Sequence, residues 1–219
     1  VIAFALPQRC PGCEGAADPA RLLCDVCIAR IPRLTSALCA RCLAAGQEPG
    51  PCVRHAGHAV FPAWVYDELA AEVVQALKYS ERPALAPALG PVLAAAVPRA
   101  WARPDLVLEV PLHAARERER GYNQAAALAD ALAEALAAPR WPGALVRTRA
   151  TAPQARLGGV ARRRNLAGAF AAVHPERLDG RRILLVDDVL TTGATLEACL
   201  EVLDASGAIA AGVTLAWAQ

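Results

Sequence analysis

Residues 182–195 read Arg182-Ile183-Leu184-Leu185-Val186-Asp187-Asp188-Val189-Leu190-Thr191-Thr192-Gly193-Ala194-Thr195, and their order decides the fold class. An apolar run of strand type ends in two adjacent carboxylates. A short Thr/Gly turn follows, and helical sequence begins. In a parallel α/β sheet, ligands bind beyond the carboxyl ends of the strands. A turn that opens a helix offers free backbone N–H groups and the positive end of a dipole, which together make an anion site. Gly193 lets the backbone approach a phosphate with no Cβ in the way. Thr191, Thr192 and Thr195 add hydroxyl donors. Asp187 and Asp188 suit two vicinal ribose hydroxyls, so one ligand with a 5′-phosphate and a 2′,3′-diol would use the whole stretch.

The flanking sequence alternates between strand and helix patterns. Residues 67–79 have helical spacing, with Leu69, Val73, Ala76 and Leu77 on one face. Residues 84–97 suggest a second helix interrupted by Pro87 and Pro91. Residues 106–110 (LVLEV) read as a buried strand, 124–138 as an Ala/Leu helix and 183–189 as a second buried strand. A helix over 195–206 stops at Gly207, and 209–218 closes as a strand. This alternation predicts an α/β fold built on a parallel sheet flanked by helices. Cys199, inside the last helix, reads as core packing.

The first 55 residues have a different character. Seven of the eight cysteines lie there, as Cys10-x2-Cys13, Cys24-x2-Cys27, Cys39-x2-Cys42 and Cys52-x2-His55. A two-residue gap lets a tight knuckle aim two ligands at one metal, and two knuckles complete a tetrahedral site. Thiolates with imidazole favour zinc. Taken in order, Cys10, Cys13, Cys24 and Cys27 form one site, and Cys39, Cys42, Cys52 and His55 a second. An interleaved pairing, or His58 in place of His55, is open at this level, and disulfides are the bland alternative. So short a segment with few large apolar side chains cannot hold a core unaided, so its expected role is structural.

Composition bounds the rest. The chain has 219 residues, is 55% hydrophobic and carries a net charge of +2, so bulk charge does not point to nucleic acid. No apolar run is long enough for a transmembrane helix. The opening VIAFALPQRC lacks the charged start of a secretion signal, and the cysteine spacing suits a reducing compartment. A cytoplasmic protein with no membrane insertion is expected. All cations except Lys78 are arginine. A lone ammonium in so arginine-biased a chain suggests a site that wants a compact charge.

Several segments in register resemble one family. VDDVLTTGAT (186–195) is similar to the phosphoribosyl-pyrophosphate (PRPP) signature of type I phosphoribosyltransferases. The four knuckles, Leu77-Lys78-Tyr79, residues 110–129 and residues 148–170 extend that likeness over nearly the whole chain. The whole resembles the ComF family of competence proteins, which join a double zinc ribbon to a phosphoribosyltransferase-like domain. The resemblance implies ribbons over 1–58 and the transferase-like domain over 59–219. It implies PRPP bound with Mg²⁺ by Asp187, Asp188, Val189, Leu190, Thr191, Thr192, Gly193, Ala194, Thr195 and Lys78. It places Asp187, Asp188 and Arg116 in catalysis, Arg116 meeting pyrophosphate from the loop after LVLEV, with Arg118 and Arg120 as further candidates. The arginine-rich 147–164 segment corresponds to the loop that closes over PRPP. The implied activity is phosphoribosyl transfer to an acceptor, linked to DNA uptake in natural transformation. Single-stranded DNA and the competence machinery are the implied partners. The alternative is a non-catalytic single-stranded-DNA-handling or nucleotide-sensing module on the same fold. Thr191 stands where purine-salvage relatives carry an acidic base, which argues against 6-oxopurine acceptors. His55 departs from the cysteine usual at that knuckle position.

Overall fold

A computed structural model describes residues 9–16, 23–45, 52, 57–79, 83–112, 114–149, 166 and 168–219. The central sheet has five strands: β1 (Leu38–Cys39), β2 (Ala59–Val65), β3 (Leu106–Glu109), β6 (Arg182–Leu190) and β7 (Ile209–Trp217), in the order β1-β2-β7-β6-β3. β2, β7, β6 and β3 run parallel, and β1 adds antiparallel to the β2 edge. The middle strands are apolar on both faces, as a parallel sheet covered on both sides requires; Ile183, Leu184, Leu185 and Val186 are fully buried. A separate antiparallel pair, β4 (Leu145–Arg147) and β5 (Phe170–Ala172), frames the arginine-rich segment.

Helices cover the two faces unequally. On one side, α2 (Glu68–Tyr79), α3 (Ala86–Ala96) and α5 (Gln124–Leu136) pack on Leu184, Val186 and Val213. On the other, α6 (Ala194–Ala205) and the β4–β5 pair pack on Ile183 and Leu185. Two short helices, α1 (Asp25–Arg30) and α4 (Ala114–Arg120), complete the described elements used below. The cysteine-rich segment joins both cores. Cys10, Cys27 and Ile31 belong with α2 and α3, while Leu38 and Ala40 belong with α6. The two halves of that segment therefore straddle the β2 edge, which would otherwise expose unpaired backbone.

The expected elements recur within one or two residues, and two of the differences involve prolines. Helix α3 runs unbroken through both prolines. Pro87 lies in its first turn, where the missing N–H has no partner to lose, and packing carries the helix past Pro91. Strand β2 has no counterpart among the expected elements, since Pro62 sits at its centre. Its parallel ladder to β7 nevertheless spans Val60↔Gly212 to Val65↔Trp217.

α3 and α5 approach closely at Gly90. A Cβ there would lie 2.5 Å from the Ala131 carbonyl oxygen and 2.9 Å from its carbon. Gly90→Ala should therefore destabilise the protein by about 1–3 kcal/mol through overpacking, against the helix propensity that favours alanine. The shift of the urea midpoint relative to the wild type measures this.

Candidate functional site

β3 ends at Glu109, opposite Val186, whereas β6 continues to Leu190. The segment from Asp187 to Leu190 is therefore paired with β7 but extends past the end of β3. The acidic pair lies within the strand, and the strand alternates. Asp188 faces the side of Leu184 and Val186, and Asp187 the side of Ile183 and Leu185. The two carboxylates thus leave opposite faces of one strand end.

Asp188 is buried, and three chain segments meet at its carboxylate. Lys78 Nζ, from the last turn of α2, lies 3.1 Å from Oδ2. Gln124 Nε2, from the first turn of α5, donates to the same oxygen at 2.9 Å. The Val189 N–H donates to Oδ1 at 2.6 Å. The residues before Gln124 fix its position. Asn123 caps α5 by accepting from the Ala125 N–H and donates to the Val110 carbonyl, while the Tyr122 hydroxyl donates to the Leu77 carbonyl. The Gln124 Oε1 is buried and makes no hydrogen bond among the described residues.

Asp187 sits in a different environment. Its Oδ1 accepts from the Asp188 N–H at 2.8 Å. Burial and the Asp188 carboxylate together push its carboxyl up to about 7, against the opposing pull of that hydrogen bond and of Lys78. Beyond the pair, Thr191 is exposed, Thr192 and Thr195 are half-buried, and Gly193 takes a left-handed φ of 71° as the N-cap of α6. Ala194 starts the helix, and the Glu197 N–H reaches back to the Gly193 carbonyl at 2.8 Å. The turn thus sets a helix N-terminus beside two carboxylates.

Other expected site residues are less closely drawn in. Arg116 stands exposed on α4, in helix rather than in the expected loop, with no hydrogen bond to Asp187 or Asp188 among the described residues. Arg118 is exposed on the same helix and Arg120 half-buried at its end. Of the 147–164 arginines, Arg147 is half-buried with its guanidinium 5.4 Å from the Phe170 ring centroid. Residues 150–165 lie outside the described residues, as do His113 and His55. Gln124 and Tyr122 belong to the site although composition alone did not single them out. The polar triplet Tyr122-Asn123-Gln124 between a charged helix and an alanine-rich one was their only local signal.

The cysteines gather into two groups whose sulfurs lie within 4.8 Å of one another: Cys10, Cys13, Cys24 and Cys27, and separately Cys39, Cys42 and Cys52. All eight cysteines are unbridged. The knuckles therefore pair in chain order. Burial raises the Cys10 thiol, but hydrogen bonds from the Cys24, Gly12 and Cys13 backbones overcome this and hold it at about 7. Burial and the neighbouring sulfurs push Cys27 up, and burial pushes Cys39 to about 11. Such crowded sulfurs cannot all ionise by themselves; a soft divalent cation removes the conflict, so both groups fit a metal. His58 engages Glu197, its Nδ1 3.4 Å from Oε2, and is not part of the second group.

Residues 119–219 match the phosphoribosyl transferase domain family. The chain is 36% identical over 206 residues to DNA utilization protein YhgH of Escherichia coli O6:H1, covering 91% of this chain and 85% of that protein. It is 42% identical over 94 residues to Competence protein F of Haemophilus influenzae, covering 42% of this chain and 41% of that protein. It is 38% identical over 96 residues to the adenine phosphoribosyltransferase of Salinispora tropica, covering 44% of this chain and 47% of that protein.

The raised Asp187 carboxyl has a consequence for stability. With a folded value of about 7 and an ordinary value of 3.8, the native state holds this proton more tightly than the unfolded chain. Its contribution is complete below pH about 4 and is lost as the pH rises through about 7. The melting temperature of the wild type should fall between pH 5 and pH 8 by more than that of Asp187→Asn. Parallel slopes would place the titration elsewhere.

Proposed function

The chain belongs to the ComF family, and on that footing we propose that it binds PRPP at the end of β6 and acts as a phosphoribosyltransferase-like protein in DNA uptake. One observation carries the reading. Within the matched domain, a strand that carries two adjacent carboxylates near its end, just before Val189 and Leu190, runs into a glycine turn at the N-terminus of a twelve-residue helix. That arrangement suits a ligand with a ribose diol and a 5′-phosphate.

The roles in this reading are as follows. Thr191 to Thr195 hold the 5′-phosphate through backbone N–H groups and hydroxyls. Asp187 and Asp188 accept from the ribose hydroxyls, with Lys78 and Gln124 keeping Asp188 in place. Arg116 and the arginines beyond Arg147 meet the diphosphate, for which a guanidinium is suited by bidentate contact. Mg²⁺ bound with PRPP would neutralise diphosphate charge while keeping most of its own waters. A nitrogen nucleophile attacks C1 of the ribose as the C1–O bond to the diphosphate breaks. The electron pair leaves with pyrophosphate, and the nitrogen's proton passes to solvent. Positioning and electrostatics supply the acceleration. The comparisons do not favour a non-catalytic DNA-handling or sensing module.

Residues 1–58 act as a double zinc ribbon and 59–219 as the transferase-like domain. Zinc is held by Cys10, Cys13, Cys24 and Cys27 in one site, and by Cys39, Cys42, Cys52 and His55 in the other. The cysteine groups support this assignment, and zinc coordination suits a thiolate-rich set. The protein works in the cytoplasm with single-stranded DNA and the competence machinery as partners.

Two measurements test the reading. Calorimetric titration with PRPP and Mg²⁺ should register binding to the wild type and none to the Asp187→Asn, Asp188→Asn double variant, whose zinc content stays unchanged. Equal affinities would remove the acidic pair from the site. Metal analysis should find two zinc ions per chain, and their removal by a chelator should lower the melting temperature, because metal binding is here part of folding. A metal-stripped protein with an unchanged melt would refute the structural role.

A further inference from the structure

The second cysteine group and the phosphate turn, far apart in sequence, are in contact. β1 pairs with β2 through Leu38↔Val60 and Cys39↔Ala59, and the Ala40 N–H donates to the His58 carbonyl at 2.9 Å. This carries the knuckle between Cys39 and Cys42 across the sheet edge to α6. Ala40 is fully buried there. Its carbonyl oxygen lies 1.9 Å from where a Cβ on Gly193 would stand, and Leu43 Cδ2 lies 3.4 Å from the same point. Gly193 is thus without a side chain for a second reason besides its φ of 71°: the knuckle backbone occupies the space.

A second contact fastens the next turn. Glu197, only 4% exposed, sits in the first turn of α6. His58 Nδ1, at the end of the cysteine-rich segment, lies 3.4 Å from its carboxylate. A buried carboxylate facing an apolar core would be costly without such a partner. Arg41, inside the same knuckle, reaches Glu201 one turn further on at 3.9 Å, but both side chains are exposed, so that pair contributes little.

We propose that the second cysteine ribbon sets the conformation of the 191–195 turn, so that metal held by Cys39, Cys42 and Cys52 and a phosphate ester held by the turn stabilise each other. Ala40, His58 and Glu197 are then positioning residues for the phosphate. The proposal rests on the reading of that turn as a 5′-phosphate site. The physical route is short. Metal ligands flank Ala40 on both sides and fix its carbonyl, the carbonyl limits where Gly193 can lie, and Gly193 sets the direction of the turn's N–H groups. The first cysteine group contacts the opposite core, next to α2, with Leu69 Cδ1 only 2.4 Å from where a Cβ on Gly12 would stand. Among the described residues it has no such route to the turn.

Coupling between two sites is reciprocal, so the ligand must protect the metal as much as the metal helps the ligand. The experiment follows the equilibrium partition of zinc between the intact protein and a chromophoric chelator, with and without ribose 5-phosphate, in the absence of Mg²⁺. Ribose 5-phosphate should tighten the binding of one zinc of the two by about fivefold or more and leave the other unchanged. Glu197→Ala and His58→Ala should each lose most of that protection and bind ribose 5-phosphate several-fold more weakly by calorimetry. Arg41→Ala should match the wild type in both. Ribose 5-phosphate binding with unaltered zinc affinity would overturn the coupling alone, as would wild-type ribose 5-phosphate affinity in Glu197→Ala. Failure of the wild type to bind ribose 5-phosphate would overturn the phosphate-site reading and the coupling with it.

Discussion

The Asp188 carboxylate ties two separate stretches of chain to one strand end. Oδ2 is shared by Lys78 from α2 and Gln124 from α5, and both donors come from helix ends that turn toward the carboxyl edge of the sheet. A buried ion pair adds little net stability over an apolar pair, but losing one partner leaves an uncompensated charge. The node therefore matters more for where the helices end than for how tightly they hold. It places the α2 terminus, the α5 cap and the β6 end in one register. Everything proposed for ligand binding happens within that register.

Asp187 sits on the other side of the same strand end and is treated differently. Among the described residues no ion pair holds it as Lys78 holds Asp188, and burial beside a second carboxylate raises it to about 7. Adjacent acids in environments that push them apart are common at functional sites, because such sites accept charge cost in exchange for a specific response to ligand. Here a ligand offering hydroxyl donors to both faces of the strand would favour the ionised form of Asp187 and relieve the conflict.

The cysteine-rich segment is not a separate bead on a string. Its first half shares a core with α2 and α3, its second half with α6, and its strand β1 continues the sheet. Metal sites in so short a segment supply the rigidity that a small core cannot. The consequence is that the second cysteine group lies one backbone contact, Ala40 to Gly193, away from the turn that opens α6.

Much of this architecture was legible in the residues alone. The apolar runs at 106–110, 183–189 and 209–218 became strands β3, β6 and β7 because continuous hydrophobicity bounded by turns leaves few other options in an α/β chain. The x2 cysteine spacing predicted two clusters because a knuckle is a local object. What the sequence could not determine was anything fixed by contacts between distant segments. Pro62 hid β2, whose strand character comes from its partner β7. Pro91 suggested a break in α3 that packing at Gly90 against α5 overrides. The adjacency of Asp187 and Asp188 was plain, but their departure to opposite faces required the strand to run on past β3. Local spacing settled which residues could do chemistry. Only the tertiary structure decided that Gln124 would hold Asp188 and that Ala40 would rest on Gly193, because those contacts join residues 64 and 153 positions apart, and no local pattern encodes them.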